Sequence, residues 1–188
     1  MAVEFRTLIA ANKRNSWLLI SGFTLFVVLL GGLIGYSWAG MYGPEAEKMA
    51  PAYALLAMAI AFTIAVIGGA SSYYGGASAI LAMSRAREIG KQDDPVLFNV
   101  VEEMSIAAGI PMPKVYVIYD SAPNAFAAGR DPEHAVVAVT SGLRRKLNRD
   151  ELQGVIAHEI SHIRHYDILF AVLMATLVGV VVLLCDMF

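Results

Sequence analysis

The residues best suited to chemistry lie together: His158, Glu159, Ile160, Ser161 and His162. Two histidines four positions apart fall on one face of an α-helix, one turn (about 6 Å) apart along its axis. At that spacing both imidazoles can meet a single Zn²⁺ at Zn–N distances of about 2.0–2.1 Å. Glu159 is rotated about 100° from His158. That places it poorly as a third ligand but within reach of a water held by the ion. A carboxylate there can take the water's proton while the ion stabilises charge growing on a peptide carbonyl. The pattern points to hydrolysis assisted by one Zn²⁺, with His158 and His162 as ligands and Glu159 as the base. Of the other two histidines, His134 opens a strand-like run and reads as surface, and His165 reads as a solvated helix residue. Asp167, five positions after His162, reads as a helix-end cap or an arginine partner rather than a ligand.

These residues need a helix to hold them. Asn148 with Glu151 three positions on forms a capping box, which predicts a helix from Arg149 to about Tyr166. Leu152, Ile156, Ile160 and Ile163 form its buried stripe. Upstream, Asp94-Pro95 is a helix start. Val96, Leu97, Val100, Val101, Met104 and Ala108 then recur at helical spacing until Gly109 and Ile110-Pro111-Met112-Pro113 end the helix. Lys114–Tyr119, Asn124–Ala128 and Ala135–Thr140 read as three short strands separated by turns. The polar segment 84–167 is thus a small α+β domain.

The rest of the chain is apolar. Of 188 residues 57% are hydrophobic and 16% charged, with mean hydropathy +0.60, against about 25% charged in an ordinary soluble domain. A net charge of −2 gives no field for nucleic acid, and the single Cys185 cannot form an intrachain disulfide. Trp17–Ala39 carries no charge and is longer than a signal-peptide core, so it reads as an uncleaved span. Ala52–Met83 is also uncharged; the span is placed at 52–70, with the helix emerging toward 83 past Tyr73-Tyr74. A third block, Ile168–Cys185, is just long enough to cross. The divisions are a membrane anchor at 1–83, the polar domain at 84–167 and a third hydrophobic segment at 168–188. Arg6, Lys13 and Arg14 before the first block, and Arg85, Arg87 and Lys91 after the second, put the N-terminus and the domain in the cytoplasm. Gly31 and Gly35 are spaced for a close helix–helix contact, or are ordinary small residues of a membrane helix. If the zinc helix runs on unbroken, the ion sits on the order of 10 Å above the membrane surface; a break at Tyr166-Asp167 redirects it.

His158–His162 followed by Ile163-Arg164-His165-Tyr166-Asp167, the stretch Asn148–Leu152, Pro123–Gly129 (PNAFAAG) and Lys114-Val115-Tyr116-Val117 together resemble the HtpX-type heat-shock membrane metalloproteases. The layout of two N-terminal spans, a domain and a further hydrophobic block matches too. CAAX prenyl proteases share the zinc motif, but the two-span start and the Asn-Ala-Phe context fit the heat-shock family better. The resemblance implies a zincin-like fold and a zinc endopeptidase of the inner membrane. It further implies removal of misfolded or unassembled membrane proteins, with lipid bilayer but no nucleic acid as partner. It implies His158 and His162 as ligands, Glu159 as base, and Asn124, Ala125, Phe126 and Ala127 as an edge strand that binds extended substrate. The family takes its third ligand from a glutamate on a later helix, and no glutamate follows Glu159 here. The chain is therefore expected to be an N-terminal portion, inactive alone. The alternative is an inactive membrane fragment acting through its helices or partners. Metal transport would need polar or charged ligands within the spans; the first two blocks carry no charge, and Asp186 lies only at the far end of the third.

Overall fold

A computed structural model describes residues 2–186. Helices α1 (Ala2–Gly40) and α3 (Ala50–Met83) flank a short α2 (Pro44–Glu47). The domain follows as β1 (Arg87–Glu88), α4 (Pro95–Ala108), β2 (Lys114–Ile118), β3 (Ala125–Ala128), β4 (Val136–Thr140), α5 (Ser141–Lys146) and α6 (Arg149–His165). Helix α7 (Asp167–Asp186) comes last; Met187 and Phe188, the end of the expected 168–188 segment, lie outside the described residues. By contacts the chain divides into one unit of Asn15–Ser72 and another of Met1–Arg14 with Tyr73–Phe188.

Two stretches, Ile9–Gly40 and Ala50–Met83, are long and apolar enough to cross a membrane. Within the first unit, Gly31, Gly32 and Gly35 of α1 seat against α3. A Cβ added to Gly31 would lie 2.7 Å from the Ala61 Cβ, and one on Gly35 would lie 2.6 Å from the Tyr53 carbonyl oxygen. Of the two readings left open for this pair, close helix contact is the one observed.

In the second unit the sheet order is β1-β2-β4-β3. β2 and β4 run parallel, Lys114 opposite Val136 through Ile118 opposite Thr140. β3 is antiparallel to β4 and forms an edge of the sheet. Alternation decides the two faces. Val115, Val137 and Val139, with Ala125 and Ala127, face a core made with Leu97, Val100 and Val101 of α4 and Leu152, Ile156, Ile160 and Ile163 of α6. Ala128, Val136 and Ala138 turn the other way, to Leu81 of α3 and Val172 of α7.

The helix signals act as expected. Asp94 accepts a hydrogen bond from the Leu97 N–H at 3.1 Å, and Gly109 ends α4 at φ 68°. The Asn148–Glu151 capping box is complete. Four points differ. β1 is an added strand of two exposed, charged residues, held only by pairing with β2. α5 is an added helix, capped by Thr140. Val96 faces outward while Ser105 is buried in its stripe, its hydroxyl bonded to the Val101 carbonyl at 2.7 Å. Finally, α6 does not run on into the third block: Tyr166 adopts φ 61°, ψ 22°, and a new helix starts at Asp167.

Candidate active site

α6 lies along the sheet with Ile156 and Ile160 turned inward, so the positions between them face the edge strand and the surface. His158 and His162 meet there. Their Nε2 atoms are 3.1 Å apart, with the rings at 82° to each other. Two nitrogens held at about 2.0–2.1 Å from one tetrahedral ion stand about 3.3–3.4 Å apart. The observed separation is within a few tenths of an ångström of that value. Among the described residues, no group of three or more His, Cys, Asp and Glu is placed to hold an ion.

Asp167 supplies what the sequence reading missed. Its Oδ2 lies 2.8 Å from His162 Nδ1. A carboxylate only accepts, so Nδ1 is the donor; in the neutral ring this leaves the lone pair on Nε2, which faces His158 Nε2. A hydrogen bond of this kind selects the tautomer a metal ligand needs and stiffens the ring. Spacing alone hides the contact. In a continuous helix residue 167 lies about 140° round the axis from residue 162. The left-handed residue at Tyr166 turns the chain so that the contact forms. His165 departs from expectation too: it is half-buried, with Nε2 shielded from solvent. His134 is exposed as expected, but in a 3₁₀ turn rather than a strand, bonded to Asp131 at 2.6 Å.

Glu159 points at the strand rather than at the histidines. Its Oε2 accepts the Ala127 N–H at 3.0 Å. Just before β3 the Asn124 carbonyl accepts from the Thr140 N–H, toward β4. The backbone groups of Ala125 and Ala127 therefore point to the open edge. The Ala127 N–H meets Glu159, while the Ala125 groups and the Ala127 carbonyl line the edge. Asn124 lies just before the strand, its N–H bonded to the Thr140 hydroxyl at 2.9 Å, and Phe126 turns to the opposite sheet face. The structure thus gathers Ala125, Ala127, Glu159, His158, His162 and Asp167. A cavity of about 370 Å³ adjoins them, lined by Phe126, Ile168, Phe170 and Ala171 besides Ala127, Glu159, His162 and Asp167.

A sequence profile for Peptidase family M48 matches residues 91–186, just over half the chain and the whole of this site. The chain belongs to that family. M48 is a family of metallopeptidases, which implies a metal ion. The chain is similar to a protein named "Protease HtpX homolog" from Listeria monocytogenes, 46% identical over 180 residues. Those residues are 95% of this chain and 55% of the relative. A protein of the same name from Streptococcus gordonii is 40% identical over 176 residues, 94% of this chain and 55% of the relative. A third, from Syntrophobacter fumaroxidans, is 40% identical over 176 residues. The chain spans about half the length of the curated relatives it matches.

Proposed function

We propose that the whole protein is a zinc-dependent, membrane-bound endopeptidase that hydrolyses misfolded or unassembled membrane proteins. Its domain lies on the cytoplasmic side of the inner membrane. The observation that carries the reading is the junction of paired histidines, glutamate and sheet edge in one cleft. His158 and His162 would hold the ion. A catalytic zinc of the usual kind needs a third protein donor, so the activity proposed is that of the whole protein. When bound, the ion would polarise the scissile carbonyl and raise the acidity of water.

The chain's own residues then have distinct tasks. The Ala125 and Ala127 edge groups bond an extended peptide backbone irrespective of side chains, as strand addition requires. Recognition of this kind suits unfolded segments, whose backbone is free. Glu159 accepts a proton from water at Oε2, the atom now bonded to the Ala127 N–H, and can return it to the leaving amine. Asp167 keeps the His162 proton on Nδ1. The cavity walled by Phe126, Ile168 and Phe170 suits an apolar side chain next to the cleaved bond. The charges of Lys13, Arg14, Arg85, Arg87 and Lys91 support a cytoplasmic placement.

The test has two parts. Zinc binding by the 188-residue chain, followed by calorimetry in detergent, is expected for wild type and lost in H158A/H162A. Cleavage of an unfolded membrane-protein substrate by the full-length protein is expected to fall about 10²- to 10⁴-fold in E159Q. Full cleavage by E159Q would refute the reading.

A further inference from the structure

We propose that Asn12 and Lys13 are positioning residues for the metal pair, gripping the corner between α6 and α7 and so holding Asp167 against His162. This rests on the reading of His158 and His162 as metal ligands, and it adds residues of the first helix to the site.

The corner needs holding. Tyr166 is one of two non-glycine residues with positive φ among the described residues, in a region that bulky side chains rarely adopt. If it relaxed to right-handed values, α6 would run on into α7 and carry Asp167 to the far side of the helix from His162. The His162–Asp167 contact exists only while the corner stays bent.

Two consecutive residues of α1 meet two consecutive residues of that corner. Asn12 Nδ2 donates to the His165 carbonyl at 3.0 Å, across 153 positions of sequence. This carbonyl is one of the acceptors that a helix end leaves without an intrahelical donor. The Lys13 Nζ sits 4.0 Å from the centroid of the Tyr166 ring. A cation at that distance is attracted to the ring face. Asp167 is the next residue. The grip therefore covers the two positions directly before the carboxylate that orients His162, and Lys13 holds the strained residue itself.

The experiment uses the 188-residue chain in detergent, titrated with Co²⁺ and read by its visible d–d bands and dissociation constant. D167A is expected to weaken Co²⁺ binding about 10- to 100-fold. N12A/K13A is expected to weaken it about 3- to 10-fold and alter the bands, at unchanged far-ultraviolet circular dichroism. K13R and Y166F, which keep the cation and the ring, should bind as wild type. In the D167A background, N12A/K13A should cause no further loss, because the grip acts through Asp167. A full further loss there, or wild-type affinity and spectrum in N12A/K13A, would overturn the proposal while leaving the ligand reading intact. Equal Co²⁺ binding by wild type and H158A/H162A would overturn the ligand reading, and the proposal with it.

Discussion

Removal of the Glu159 carboxylate should loosen the outer edge of β3. Glu159 Oε2 accepts the Ala127 N–H at 3.0 Å, and both residues are half-buried. A hydrogen bond to an ionised group contributes about 1.5–3 kcal/mol. Half exposure brings that to about 1 kcal/mol, or about five-fold in an opening equilibrium. In E159A the Ala127 amide has no acceptor from β4, since it points to the open edge. Its hydrogen exchange should therefore accelerate about five-fold. The Phe126 and Ala128 amides, which face β4, should barely change. E159Q keeps an oxygen acceptor without the charge, and its Ala127 exchange should fall between wild type and E159A, since neutral bonds are about half as strong. The assay is residue-resolved hydrogen exchange by mass spectrometry or NMR on the detergent-solubilised chain. Unchanged Ala127 exchange in E159A would refute the claim that this carboxylate protects the Ala127 amide.

Three further outcomes follow from other parts of the fold. Burial raises the pKa of Asp94, but the Arg144 guanidinium at 2.7 Å and the Leu97 N–H outweigh it and leave the carboxyl below its ordinary value. A depressed pKa adds stability above the unfolded value and loses it as pH falls through the folded one. D94N should therefore cost about 1 kcal/mol near neutral pH, with the gap to wild type closing below about pH 4 in thermal or urea unfolding. G35L should destabilise the helix pair by about 1–3 kcal/mol through overpacking, whereas G22L, with nothing within 4 Å of its added Cβ, should be near neutral in thermal melts in detergent. G142A would drive a methyl into the Ser121 carbonyl and should cost about 1–3 kcal/mol, with faster hydrogen exchange through residues 120–125 as the check.

Much of the domain is legible because its signals are local. The Asn148–Glu151 box, the Asp94-Pro95 start and the Gly109 stop each act within a few residues of themselves. The β-branched and aromatic residues of Lys114–Tyr119 and Ala135–Thr140 also mark strands without help from elsewhere. The elements that escaped depend on distant partners. Arg87–Glu88 pairs with Val117 and Tyr116, about 30 positions away. At the site, the histidine pair was legible from its four-residue spacing. The Asp167 contact was not, since helical geometry argues against it and only the left-handed Tyr166 permits it. Asp167 directly after a helix end and five residues past a candidate ligand is the one signal available. The grip of Asn12 on His165 spans most of the chain and has no signature in sequence at all.

The strand order bears on how the domain comes together during synthesis. β4 is made after β2 and β3, yet it is the strand that both of them pair with. Until residues 136–140 emerge, β2 and β3 have no common partner, and the face of the sheet meant for α6 stays uncovered until residues 149–165 follow. The two long apolar helices precede all of this in the chain. A nascent molecule therefore reaches the bilayer before its sheet is closed, and it closes its sheet before Glu159 can meet Ala127. Since domains fold as their residues become available, the Glu159–Ala127 contact is assembled after both long apolar helices have been made.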